Sequence, residues 1–418
     1  MSKSAEIICV GTELLLGDIV DTNSQHLSRG LAEIGINLFH RETVGDNHDR
    51  LVCVLKRAIS ENDIVITSGG LGATCDDITK EGVAEAMGLK LVLHEPSLER
   101  IKEHYRRRDA VMTENNVKQA YLPEGAIVFD NDYGTAPITA VQKDGKTVIM
   151  LPGVPRELVP MFDEKIKPWL KEQYSDAIIV SRNLRLYGIG EAAAEDLLRD
   201  LMDSYQNPTI APYAKTGEVL LRLTAKGQSE KECNALIDSL FEKVEERVGQ
   251  YIYGIDVGSL EEAMSRVCRE KGLTVSFAES CTGGMCAKRV IDLPGASKVI
   301  GMSVVTYHGS AKQKLLGVKS ETIEKYGLIS HECAKEMAVG LLSLSEADIA
   351  VSVTGVAGPD TDEGKAIGTV YIGVASKRGV RSSFINLARG KREREYIRTL
   401  AANAAINEAR LEALLLNQ

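Results

Sequence analysis

Short apolar runs that break off into glycine-rich polar turns, each followed by a helix-length segment, limit the folds open to this chain more than any other feature. Ala5-Glu-Ile-Ile-Cys-Val10 runs into Gly11-Thr-Glu-Leu-Leu-Leu-Gly-Asp18, Asp63-Ile-Val-Ile-Thr67 into Ser68-Gly-Gly-Leu-Gly72, and Leu273-Thr-Val-Ser-Phe277 into Ala278-Glu-Ser-Cys-Thr-Gly-Gly284. Runs of this kind read as buried strands, and strands alternating with helices at this spacing point to a parallel, doubly wound sheet. Such sheets hold ligands just past the carboxyl ends of their strands, where glycines let the backbone approach and helix N-termini present amides.

The chain of 418 residues suggests about three domains at roughly 150 residues each. The divisions fall at 1–170, 171–257 and 258–418. The expected fold class is α/β: two three-layer α/β/α domains with parallel-rich doubly wound sheets, joined by a small α+β domain. A formal net charge of -9 argues against an extended nucleic-acid surface, because phosphate neutralisation needs clustered Lys and Arg. The basic triplet Arg106 to Arg108 is flanked by Glu103 and Asp109 and reads as a solvated helix face. The apolar residues before Gly11 are too few for a signal-peptide core, and no apolar run approaches the roughly 20 residues a membrane span needs. A cytoplasmic protein without membrane contact is expected. The eight cysteines contain no Cys-x-x-Cys pair and read as reduced thiols that fill the core. Cys281, beside Ser280, is the one possible exception as a nucleophile, but its nearest candidate partner, His308, is distant in sequence.

In the first domain, Gly69, Gly70 and Gly72 offer amides to an anion, and the adjacent Asp76 and Asp77 suit Mg²⁺ through oxygen ligands. The plainer reading of the same aspartates is an Asx-capped turn before a helix. Two more loops, Asn131-Asp-Tyr-Gly-Thr-Ala-Pro137 and Pro152-Gly-Val-Pro-Arg-Glu157, follow strands of the same sheet and are expected to converge with these on one crevice. The binding residues expected there are Gly11, Thr12, Glu13, Gly69, Gly70, Gly72, Gly134, Thr135 and Gly153. The middle segment reads as a strand, two helices and a hairpin around Lys215-Thr-Gly217, with no cluster at catalytic spacing. It is expected to act as a spacer or dimerisation module, so the expected assembly is a homodimer.

In the third domain Ser280, Tyr307 with Lys312, and the loop Thr354-Gly-Val-Ala-Gly-Pro359 all lie at or just past strand ends. Their chemistry fits amide hydrolysis: a serine hydroxyl needs a base, a neutral buried lysine can serve, and a tyrosine can relay or donate a proton. Whether Lys312 or Tyr307 takes the serine proton is open at this level. Amides of Gly283 or Gly355 are candidates for an oxyanion, Arg392 or Lys391 for a phosphate, and Gly284 for substrate binding beside them. Glu279, Thr282, Thr354 and Gly358 complete the expected binding set.

These motifs resemble a known family. Gly11-Thr-Glu-Leu-Leu, the Gly-Gly-Leu-Gly…Asp-Asp-Ile-Thr segment and Leu151-Pro-Gly-Val-Pro-Arg-Glu157 are similar to the molybdopterin-binding domain shared by MoaB, MogA and the N-terminal half of CinA proteins. The resemblance implies a phosphorylated, nucleotide-like ligand with a divalent cation, Asp77 taking the organising position with Asp76 and Glu13 beside it. Ala73 stands where the family usually has proline. The motifs Ala278-Glu-Ser-Cys-Thr-Gly-Gly284, Leu293-Pro-Gly-Ala-Ser297, Lys314-Leu-Leu-Gly-Val318 and Thr354-Gly-Val-Ala-Gly-Pro359 resemble the C-terminal domain of CinA and the stand-alone PncC enzymes. That likeness implies deamidation of nicotinamide mononucleotide to nicotinic acid mononucleotide and ammonia, in pyridine nucleotide salvage, with no cofactor. For the first domain it implies metal-dependent hydrolysis of ADP-ribose or, alternatively, a non-catalytic pterin- or nucleotide-binding module in competence or DNA-damage responses. One loop departs from the family: Asp360-Thr-Asp-Glu-Gly-Lys-Ala366 replaces a glycine-rich loop with a Lys-Pro pair, and its added carboxylates are expected to disfavour a nearby phosphate.

Overall fold

The first apolar run forms strand β1 (Ser4–Val10), and its side chains alternate between two cores. Ile7 and Cys9 pack with Leu27, Leu31, Leu158 and Phe162 on one face, while Ile8 and Val10 pack with Leu51, Leu55 and Val83 on the other. A strand buried on both faces needs a helical layer on each side. In the computed structural model, which describes residues 3–174, 178–387 and 393–416, the chain divides into two compact units, Met1–Ser181 with Thr224–Leu236, and Arg182–Leu223 with Ile237–Gln418. The segment 171–257 is thus shared between them.

In the first unit β1 is followed by α1 (Thr12–Leu16), α2 (Thr22–Glu33), β2 (Asn37–Val44), α3 (His48–Glu61), β3 (Ile64–Ser68) and α4 (Thr79–Ala86). Then come β4 (Leu91–Leu93), α5 (Glu95–Arg107), β5 (Tyr121–Pro123), β6 (Ile127–Phe129), β7 (Ile138–Lys143), β8 (Lys146–Leu151), α6 (Pro155–Met161) and α7 (Lys167–Tyr174). The six-stranded sheet has the order β2-β1-β3-β8-β7-β6. Its first four strands are parallel, β7 runs antiparallel to β8, and β6 pairs antiparallel with β7. The reversal comes from a two-residue turn, Asp144 and Gly145, both at positive φ (52° and 76°), as a tight hairpin demands. Side chains of Asp21 and Asn47 cap α2 and α3 by accepting the N–H of Ser24 and Arg50. Because β2 and β3 flank β1 on opposite sides, the strand order switches between β1 and β3, where a crevice opens in such sheets.

The middle segment contributes β9 (Ile178–Tyr187), α8 (Glu191–Ser204), β10 (Thr209–Lys215), β11 (Glu218–Gly227), α9 (Glu230–Val248) and β12 (Ile252–Ile255), with strands in the order β10-β11-β9-β12. Gly217, at φ 76°, turns the β10-β11 hairpin. The remainder of the second unit holds α10 (Leu260–Lys271), β13 (Val275–Glu279), α11 (Met285–Ile291), β14 (Ile300–Val305), α12 (Gly309–Leu316), α13 (Ser320–Tyr326) and α14 (His331–Ser345). It closes with β15 (Ile349–Gly355), β16 (Thr369–Ser376), β17 (Gly379–Asn386) and α15 (Arg394–Leu415). The sheet order is β14-β13-β15-β16-β17, parallel through β15 and antiparallel beyond. Phe277 and Val351 face α10 and the alanine-rich side of α15, whereas Ala278 and Ala350 face Met337 and Leu341 of α14. A switch in strand order again lies beside the first strand, between β13 and β14 on one side and β15 on the other.

Candidate functional site

β13 ends at Glu279, and the chain then turns sharply at Ser280, whose N–H donates to Val353 O at 3.0 Å and ties the turn to β15. Lys312, on α12, is 1% exposed and brings Nζ to 3.1 Å from Ser280 Oγ. The same nitrogen meets the carbonyl oxygens of Thr306 at 2.5 Å and Tyr307 at 3.4 Å. A neutral amine has two N–H donors and one lone pair, so two carbonyls and one hydroxyl form a complete set of partners for it. Burial holds Lys312 below the ordinary lysine pKa, because a desolvated ammonium is disfavoured. No carboxylate forms an ion pair with it among the described residues. Of the two candidate bases, the geometry brings Lys312 to the serine.

Tyr307 is not brought there by its side chain. Its ring is exposed, and its hydroxyl accepts from Arg394 Nη2 at 3.1 Å, leaving only its backbone carbonyl at Lys312. Glu279 is also engaged elsewhere: its carboxylate, 1% exposed, accepts the N–H groups of Gly284 at 3.0 Å, Cys286 at 3.1 Å and Ala287 at 3.0 Å. It satisfies the open amides at the start of α11 and fixes the turn rather than facing a substrate. That commitment takes the Gly284 amide out of the substrate-binding set, and the Gly283 N–H expected at the oxyanion is bonded to Ser280 O at 3.1 Å. Gly355 belongs to β15, where a Cβ would lie 2.6 Å from Thr369 O, so the glycine serves strand packing. The amides nearest the nucleophile that donate to no described group are those of Cys281 and Thr282. Thr282 is fully buried, and Thr354 spends its hydroxyl on Leu328 O at 2.8 Å.

Arg392 and Lys391 lie outside the described residues. The described arginines at the site are Arg394 and Arg398, one helical turn apart at the start of α15. Arg394 donates to Gly358 O and to Tyr307. Arg398 donates from Nε to Cys281 O at 2.9 Å and from Nη2 to Thr282 O at 2.8 Å. Two arginines spaced by four at a helix start are the only sequence signal for them; their contacts span 117 positions along the chain and leave no local trace. Burial pushes the Cys281 thiol up to about 11, so it is a neutral core group. In the divergent loop, Glu363 accepts Leu328 N–H at 2.7 Å and Ile329 N–H at 3.0 Å and pairs with Lys365 at 3.3 Å. That carboxylate is compensated locally.

In the first unit the glycine turns after β1, β3 and β8 do converge. A Cβ on Gly69 would sit 2.2 Å from Val10 O, and one on Gly153 would sit 3.2 Å from Gly69 Cα. Gly11 N–H is held by Val44 O at 3.0 Å, and Thr12 exchanges bonds with Asp46 at 2.9 and 3.1 Å. The Glu13 carboxylate folds back over Gly11, and Gly70 presses on Thr79 Oγ1. Asn23, in the first turn of α2, donates from Nδ2 to Ser68 Oγ at 3.0 Å and to Gly153 O at 2.7 Å. Asp77 Oδ2 accepts Thr74 N–H at 2.8 Å and Thr74 Oγ1–H at 2.6 Å, packed against Gly72. These bonds run back three residues, so they are not the expected Asx cap: α4 begins after Ile78 with no side-chain cap. Asp77 Oδ1 has no partner among the described residues, and Asp76 Oδ1 accepts from Cys75 Sγ at 3.6 Å. Among the described residues no three His, Cys, Asp or Glu side chains gather as a metal cage. Gly134 and Thr135 line a cleft beside α5, and their loop meets the segment after β8 through Asn131 Nδ2, which donates to Glu157 Oε2 at 3.0 Å. Burial also pushes Lys80, bonded to Lys118 O, down to about 8.

Among the described residues, no helix is long and apolar enough to cross a membrane. Residues 6–172 match a family described as a probable molybdopterin binding domain, residues 181–254 the damage-inducible protein CinA KH domain, and residues 257–413 the CinA C-terminal domain. A putative competence-damage inducible protein of Caldicellulosiruptor bescii is 48% identical over 404 residues, covering 96% of this chain and 97% of that protein. A CinA-like protein of Kosmotoga olearia is 47% identical over 372 residues, 88% of this chain and 90% of that one. The crystal structure of a CinA protein from Thermoplasma acidophilum matches with 35% identity and a TM-score of 0.38, over 40% of this chain and 98% of that one.

Proposed function

The chain belongs to the CinA family, and on that premise we propose that its C-terminal part hydrolyses the carboxamide of nicotinamide mononucleotide, with Ser280 as nucleophile and Lys312 as its base. The observation that carries this reading is the 3.1 Å approach of a buried lysine amine to the Ser280 hydroxyl, with no carboxylate among the described residues paired to the lysine. Ser280 Oγ attacks the carboxamide carbon as its proton passes to Lys312 Nζ. The carbonyl oxygen becomes an oxyanion, for which the N–H groups of Cys281 and Thr282 are the donors beside the nucleophile. Lys312 returns the proton to the leaving nitrogen and ammonia departs, leaving an acyl ester on Ser280. Lys312 then takes a proton from water as the water oxygen attacks the ester carbon, and gives it to Ser280 Oγ as the bond from carbon to Oγ breaks, releasing nicotinic acid mononucleotide and restoring the serine. Arg398 keeps the turn in place through two carbonyls, and Arg394 offers a guanidinium at the mouth for the substrate phosphate.

For the first unit the reading is a pyrophosphatase acting on ADP-ribose. Asp76 and the free oxygen of Asp77 would hold Mg²⁺ together with phosphate oxygens, since this ion is commonly shared between one or two carboxylates and the substrate. When bound, the ion would neutralise charge on the pyrophosphate; the chain's own glycine turns orient the phosphates. The commitment of Asp77 Oδ2 to Thr74 favours a second reading, a module that binds a nucleotide or pterin without cleaving it.

Incubation of the full chain with nicotinamide mononucleotide is expected to release ammonia, and Ser280→Ala to abolish the release. Retained turnover in that variant would sink the nucleophile assignment. Incubation with ADP-ribose and Mg²⁺ is expected to release AMP in a manner lost in Asp77→Ala; binding without AMP release selects the second reading.

A further inference from the structure

Leu328, between α13 and α14, joins the strand that anchors the nucleophile to the helix that carries its base. Its carbonyl accepts Thr354 Oγ1–H at 2.8 Å, and Thr354 follows Val353, whose own carbonyl holds the Ser280 N–H at 3.0 Å. Its side chain packs on Gly309, where a Cβ would lie 3.1 Å from Leu328 Cδ2. Gly309 opens α12, and Lys312 stands at the end of the same first turn. The Lys312 segment has two other fixed points. Thr306 N–H donates to Glu279 O at 2.8 Å ahead of the helix, and Leu316 packs on α14 at its far end. Leu328 bears on the turn between them.

Glu363, in the divergent loop, holds Leu328 from the third side. Its Oε1 accepts Leu328 N–H at 2.7 Å, its Oε2 accepts Ile329 N–H at 3.0 Å, and Lys365 Nζ lies 3.3 Å from Oε2. Gly327 sits at φ 83°, and a Cβ there would overlap Glu363 Oε2, so the absent side chain lets the carboxylate reach the segment. Glu363 itself takes φ 49°, a left-handed conformation unfavourable for a residue with a Cβ, which its two amide bonds offset. Burial works against its ionisation, but the two amides and Lys365 outweigh burial and hold the carboxyl below the ordinary glutamate value.

We propose that Glu363 and Leu328 are positioning residues of the amidase centre. The carboxylate fixes Leu328, and Leu328, tied to β15 by Thr354, sets the first turn of α12 and with it the distance from Lys312 Nζ to Ser280 Oγ. The inference rests on the assignment of Ser280 and Lys312 as nucleophile and base. It gives the carboxylate of the divergent loop a role other than repelling a substrate phosphate.

The test uses the full chain, well below its unfolding temperature, with two reagents. One is nicotinamide mononucleotide; the other is an alkyl fluorophosphonate, which phosphonylates a base-activated serine and releases fluoride whatever the natural substrate is. Misplacement by about 1 Å can cost about 10²-fold. Glu363→Ala and Leu328→Ala are each expected to lower kcat and the rate of Ser280 labelling about tenfold or more, with KM unchanged. Should either variant lack a cooperative melting transition, Glu363→Gln, which keeps one acceptor oxygen, or Leu328→Val takes its place. A structural role alone would lower the melting midpoint and leave both rates at the parent's value. Repulsion of a phosphate would instead lower KM in Glu363→Ala and leave kcat unchanged. Either result overturns the proposal. Labelling that depends on both residues, with no ammonia released from nicotinamide mononucleotide, removes the substrate reading and leaves the positioning role standing. A parent chain that neither labels nor releases ammonia removes the nucleophile assignment and the proposal with it.

Discussion

Replacing Lys312 with methionine is the sharpest test of the C-terminal site. Methionine fills nearly the same volume without a charge or a proton-accepting nitrogen, so the packing around α12 should survive. Two effects on stability oppose each other. Thr306 O and Tyr307 O lose their donor at about 1–3 kcal/mol for an unsatisfied buried group. Against that, the desolvation penalty on the amine disappears, and the net change is expected to stay within about 2 kcal/mol. Activity has no such offset. Loss of a positioned base typically costs about 10²–10⁴-fold, so ammonia release by Lys312→Met should fall at least 100-fold while the melting transition stays cooperative. The pH profile provides an independent readout. Lys312 acts as a base when neutral, and its folded pKa lies below the ordinary lysine value. The rate should therefore rise with pH through a midpoint below about 10.4. Stability follows the same sign: between the lowered folded pKa and the unfolded one, the unfolded chain binds more protons, so this residue's contribution grows as pH rises. Both pH effects should vanish in Lys312→Met. A variant that keeps a tenth of the parent rate, or retains the alkaline limb, would refute the assignment of Lys312 as the base.

Glu279→Gln places an amide NH₂ among three backbone donors; we expect a loss of about 2–3 kcal/mol in denaturant titration, with deamidation falling in parallel. A variant as stable as the parent would show that the carboxylate does not organise the turn. Gly340→Ala would gain up to about 1 kcal/mol from helix propensity. The new Cβ, however, falls 1.8 Å from Leu316 O, and overpacking of about 1–3 kcal/mol should outweigh that gain. A raised midpoint of thermal unfolding would mean that α14 can shift off α12 freely.

Much of this architecture is legible in the sequence because it is encoded locally. Apolar runs ending in Gly11, Gly69 and Ser280 announce strands and turns through neighbouring residues alone, and the turns after β1, β3 and β13 do sit at the switch points of their sheets. The antiparallel hairpins β7-β8 and β16-β17 are a partial exception. The first hangs on the two positive-φ residues Asp144 and Gly145, and the second on the tight pairing of Ser376 with Gly379. Both signals are short enough to be lost beside the stronger βα rhythm.

What the sequence by itself determined is therefore the set of strands, the loops that carry chemistry, and the types of side chain at their tips. Only the tertiary structure decided which of those side chains meet. It selected Lys312 over the Tyr307 hydroxyl, turned Glu279 inward to three amides, brought Arg398 to Ser280's turn, and tied Glu363 to Leu328. The physical reason is distance along the chain: strand and turn preferences act over a few neighbouring residues. A hydrogen bond between groups 32 or 117 positions apart exists only once the packed sheet has fixed where each helix lies.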